Sequence, residues 1–144
     1  VKKYFLLVPI FVFQSSLGYN NQKLKLMKEF VLVFRDSNNP DFKPSPEQMQ
    51  EVLSDWMNWI GSIAAQNKLV DRGNRLSVAN SKTIKPNNVV TDGPYMEIKE
   101  FINGYTIVKS ANIDEAVDLA KGCPILKIGG NVEIRAIVSS DDNS

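Results

Sequence analysis

An α+β sandwich with the element order β-α-β-β-α-β is what this sequence predicts, and three observations carry that expectation. Apolar runs rich in Val, Ile and Phe stand near both ends of the body, at 29–34 and 132–138. Two segments, starting at Ser45 and Asn112, open with helix-capping residues and continue at the three-and-four spacing of an amphipathic helix. Between them lie short β-forming stretches punctuated by Gly73 and by Asp92-Gly93-Pro94.

The first strand, Glu29 to Phe34, sets Phe30, Leu32 and Phe34 on one parity and Val31 and Val33 on the other, so it is expected to be buried on both faces. Arg35 to Pro44 follows as a loop, since its Asp-Ser-Asn-Asn-Pro-Asp run with a second proline at 44 is turn chemistry that cannot continue a ladder. Ser45 then fits as an N-cap, with Pro46 at the first helical position and Gln48 three residues after the cap. Met49, Val52, Leu53, Trp56, Ile60, Ile63 and Ala64 recur as one buried face, which Met57 and Trp59 widen. Both tryptophans read as core anchors. Leu69 to Val78, broken by Gly73, and Lys82 to Val90 read as short strands or strand fragments, with a turn at Asp92-Gly93 and Pro94 confined to an edge or bulge. Gly104 to Lys109 alternates as the next strand. Asn112 and Glu115 then open a second helix, which Gly122 and Pro124 stop. Val132 to Val138 closes the order, which is that of the ferredoxin-like class. Two helices cover one face of such a sheet, so the second apolar face calls for a second subunit, and a homodimer is expected.

Composition narrows the chemistry. The chain has 144 residues, 43% of them hydrophobic, with 17 Lys plus Arg against 16 Asp plus Glu, a balance without the basic patch that nucleic-acid binding requires. It has no histidine and a single cysteine, Cys123, which excludes a Ser-His-Asp triad, a Cys-His pair, a histidine-ligated zinc and an internal disulfide. No metal and no cofactor are expected. Residues 1–26 carry four lysines and no acid. Lys2 and Lys3 before the apolar run Tyr4 to Phe13, with Ser16 and Gly18 as small residues, have the layout of an export signal. The other reading is an upstream segment before a start at Met27, which implies a cytoplasmic protein. Either way the domain is expected over residues 27–144, with no membrane span in the mature chain, because the run is too short to cross a bilayer.

The stretch Val90-Thr91-Asp92-Gly93-Pro94-Tyr95-Met96-Glu97-Ile98-Lys99-Glu100, followed by Gly104-Tyr105-Thr106-Ile107-Val108, resembles the signature of the YCII-related, or DGPF-motif, family. Ser45 to Met49, Asp114-Glu115-Ala116, Gly122-Cys123-Pro124 and Gly130 to Arg135 also resemble family positions, so the resemblance covers residues 28–138. It implies a dimeric α+β barrel built from ferredoxin-like subunits. For function it implies either a small-molecule binding protein or lyase- or dehalogenase-like enzyme, or a non-catalytic dimeric accessory to transcription control. The histidine and aspartate pair of the enzymatic relatives cannot operate here, and Tyr95 replaces the motif's phenylalanine.

Within the motif, Asp92 is the candidate general acid or base, or else a turn residue bonding its own backbone. Tyr95 offers a phenol donor or a packing ring. Glu97, Lys99 and Glu100 flank a pocket or form a solvated face. Arg35, like Arg135, stands at a strand end, where its guanidinium could fork onto an anionic substrate or pair with a local carboxylate. Cys123, between Gly122 and Pro124, reads as a small buried residue.

Overall fold

Alternation along the first strand decides which side of the sheet becomes the core. The computed structural model of the protein describes residues 26–37, 43–94 and 100–139. The export-signal and upstream readings of residues 1–26 fall outside them, apart from Leu26. Strand β1 (Lys28–Ser37) buries Phe30, Leu32 and Phe34 almost completely, and it runs three residues into the expected loop because Arg35, Asp36 and Ser37 still pair with Ile102, Phe101 and Glu100. Val31 and Val33, expected to be buried as well, are only half-buried, because both helices lie on the other face.

Helix α1 (Pro46–Ala65) starts as its capping residues dictate: Gln48 N–H donates to Ser45 Oγ at 3.2 Å and Ser45 N–H donates to Gln48 Oε1 at 2.8 Å. Its apolar stripe is not buried along its whole length. Trp59, Ile60 and Ile63 enter the core, whereas Met49, Leu53 and Met57 are exposed and Trp56 is half-buried. Trp56 packs against the core from its margin, beside Phe34 and Trp59, and is less buried than a core anchor was expected to be. Trp59 does anchor the core: its indole Nε1–H donates to the Leu119 carbonyl at 2.9 Å and ties α1 to the second helix.

The short strand β2 (Leu69–Asp71) ends where Gly73 turns the chain, and only Arg75 pairs again, with Gly104. The short strands or fragments expected over Lys82 to Val90 are β3 (Lys82–Lys85) and β4 (Val89–Asp92), paired as a hairpin. Pro86-Asn87-Asn88 makes the turn, with Asn87 and Asn88 at φ 65° and 60°, a left-handed conformation that asparagine tolerates best among side-chain-bearing residues. Asp92-Gly93 ends the hairpin rather than turning it.

Strand β5 (Glu100–Ser110) begins four residues before the expected Gly104. Helix α2 (Ile113–Ala120) is capped by Asn112, whose Oδ1 accepts from Glu115 N–H at 2.9 Å, while Glu115 Oε2 accepts from Ala111 N–H at 3.1 Å. Strand β6 (Asn131–Ala136) follows a 3-10 turn at Pro124–Ile128. The four-stranded sheet runs β2-β5-β1-β6, antiparallel throughout. That is the ferredoxin-like order with the β3–β4 hairpin inserted between its second and third strands. Thr106 and Ser110, the buried polar residues of β5, are satisfied by the carbonyls of Arg72 (3.0 Å) and Asn112 (2.7 Å).

Candidate functional site

The exposed half of the α1 stripe opens onto a cavity of about 890 Å³ between that helix and the sheet. Met49, Val52, Leu53, Trp56, Met57 and Ile60 form its helical wall. Phe34 packs edge-on against Trp56 at 4.9 Å between ring centroids, and Trp56 against Trp59 at 5.3 Å, so the indole facing the cavity is held by two aromatic neighbours. The volume and the mainly apolar wall with few polar groups match what small-molecule sites have in common.

Polar groups come from the opposite side. Asp36, Arg72, Asn74, Arg75 and Asn103 line the cavity, with Arg72 and Arg75 exposed at its edge. Two glycines bring these arginines there. At Gly73, with φ 67°, a Cβ would overlap the Tyr105 carbonyl oxygen, and at Gly104 a Cβ would stand 2.7 Å from the Asn74 carbonyl oxygen. Lacking side chains, the two backbones close up, with Leu76 N–H donating to Asn103 O at 2.8 Å and Tyr105 N–H to Asn74 O at 3.2 Å. Asp71 Oδ1 accepts from Gly73 N–H at 2.8 Å and locks the turn. Asn103 is the unpaired residue of a bulge where β1 slips from Phe34↔Gly104 to Arg35↔Ile102, a device that re-aims a side chain beside a site.

The residues singled out in the sequence lie elsewhere. Asp92 sits on the hairpin with its side chain 90% exposed, paired with Lys82 Nζ at 2.6 Å, and does not line the cavity. Arg35 points to the sheet face away from the helices, where its Nη2 and Nε donate to Glu133 Oε2 at 2.7 and 3.0 Å. Arg135 stands 4.0 Å from the same carboxylate. Arg35 and Asp92 are not brought together. Tyr95, Glu97 and Lys99 lie outside the described residues. Cys123 is buried, and burial pushes its thiol up to about 12, so it is no nucleophile at neutral pH. Arg72, Arg75 and Asn103 were missed from sequence. The available signal was the pair of arginines flanking the Gly73 break.

A ferredoxin-like α+β domain with an apolar cavity between its first helix and its sheet is thus the class these features define. A family model describing the YCII-related domain matches residues 29–140, and the chain belongs to that family. No curated protein matches it. Among the described residues no helix is long and apolar enough to cross a membrane.

Proposed function

We propose that this protein binds a small, largely apolar molecule in the cavity between α1 and the sheet. The observation that supports this reading is the row of exposed apolar α1 side chains, Met49, Leu53 and Met57, facing open volume instead of core. Covering such a surface removes apolar area from water, at about 25 cal/mol per Å². We also propose a homodimer, in which a second copy covers the sheet face where Val31, Val33, Tyr105 and Ile107 are half-buried. A catalytic part for Asp92 draws its support from motif position alone, and for the cavity reading it is not required.

The test is a fluorescence titration with the neutral apolar probe N-phenyl-1-naphthylamine. Saturable binding at one site per chain is expected. Leu53→Trp, which fills the cavity from an exposed helical position, is expected to abolish it without loss of helical signal. Equal binding by both proteins would refute the assignment.

A further inference from the structure

Building on that reading of the cavity, we infer that its ligand is an amphipathic monocarboxylate, with its apolar body against Leu53 and Trp56 and its carboxylate between Arg72 and Arg75. Both arginines line the cavity together with the apolar α1 residues, both are exposed, and neither makes an ion pair among the described residues. Arg35 serves as the contrast, since its guanidinium is occupied by Glu133. Guanidinium groups fork onto carboxylates in a bidentate geometry that an ammonium cannot offer.

Charge decides how many negative groups the ligand carries. Among the described residues Asp36 is the sole acid lining the cavity, so the two arginines leave one positive charge there for the ligand to neutralise. A carboxylate does this, while a phosphate dianion would leave the site negative. The apolar wall sets the rest of the molecule. Met49 and Met57 are adaptable side chains that fit chains or rings of differing outline, and Trp56 supplies a fixed aromatic surface.

Displacement of N-phenyl-1-naphthylamine from the full chain tests the inference, using decanoate, decanol and decyl phosphate as competitors of equal chain length. Decanoate is expected to displace the probe at roughly tenfold lower concentration than decanol, the scale of one charge-assisted pairing. In the Arg72→Gln/Arg75→Gln double variant, whose exposed positions leave the core untouched, that preference is expected to vanish while decanol competes as before. Equal displacement by decanoate and decanol in the wild type overturns the carboxylate and leaves the cavity reading standing. A preference for decyl phosphate over decanoate overturns the single-charge argument. Failure of the probe to bind the wild type at all overturns the cavity reading and this inference with it.

Discussion

Gly104→Ala is the substitution that most sharply tests how the site is built. Gly104 carries no left-handed backbone, so alanine meets no conformational penalty there and the added methyl acts through contact alone. Its Cβ would stand 2.7 Å from the Asn74 carbonyl oxygen and 3.4 Å from Arg75 Cα, and both of those atoms belong to backbone that cannot swing aside. The segment 72–76 must therefore move off β5. That strains the bonds Leu76 N–H to Asn103 O and Tyr105 N–H to Asn74 O, each worth about 1 kcal/mol net. Alanine also stiffens the unfolded chain, which returns about 0.4–1 kcal/mol. The loss outweighs the gain, for a net destabilisation of about 1–2 kcal/mol. Urea unfolding followed by circular dichroism reads this as a lowered midpoint at unchanged slope. Because the same movement carries Arg72 and Arg75 away from the cavity edge, the advantage of decanoate over decanol is expected to shrink as well. A variant as stable as wild type would refute the close approach of these two backbones.

Asp92→Asn is expected to leave the urea midpoint and probe displacement unchanged, since the pair it breaks with Lys82 is exposed and such pairs contribute little. A loss of ligand binding at unchanged stability would make Asp92 a site residue. Cys123 gives a pH dependence with a definite sign. Its folded thiol, raised to about 12 from an ordinary value of 9.0, stays protonated between those values while the unfolded thiol ionises, so stability falls as pH rises above about 9. Cys123→Ala should flatten that decline, and an identical pH profile for both proteins would show that the thiol is not excluded from water. Ile107→Lys, at the centre of the far sheet face, should convert a dimer to a monomer by light scattering, whereas a monomeric wild type would remove the dimer proposal.

What the sequence made legible is what local chemistry decides. The start of α1 is written in Ser45, Pro46 and Gln48, and both reciprocal hydrogen bonds of the cap form. The order of strands and helices follows from period and punctuation, and the sheet obeys it. Periodicity states which residues share a helix face but not what lies opposite them, so Met49, Leu53 and Met57 read like Ile60 and Ile63 although they face open volume. The hairpin turn was hidden because it rests on two consecutive asparagines adopting left-handed backbone between good β-formers. Arg72 and Arg75 were hidden for a longer-range reason: their place depends on Gly73 meeting Tyr105 and Gly104 meeting Asn74, contacts about thirty residues apart in the chain.

The two tryptophans offer the most direct measurement of the cavity reading, because their indole N–H groups give two resolvable signals in a proton–nitrogen correlation spectrum. Trp56 lines the cavity, whereas the indole N–H of Trp59 is held by the Leu119 carbonyl on the side of α2. Titration with N-phenyl-1-naphthylamine should shift the Trp56 indole signal progressively to saturation, together with the amides of Leu53 and Met57, and leave the Trp59 signal nearly in place. Saturable binding that leaves Trp56 unmoved while shifting the amides of the 82–92 hairpin would contradict the account.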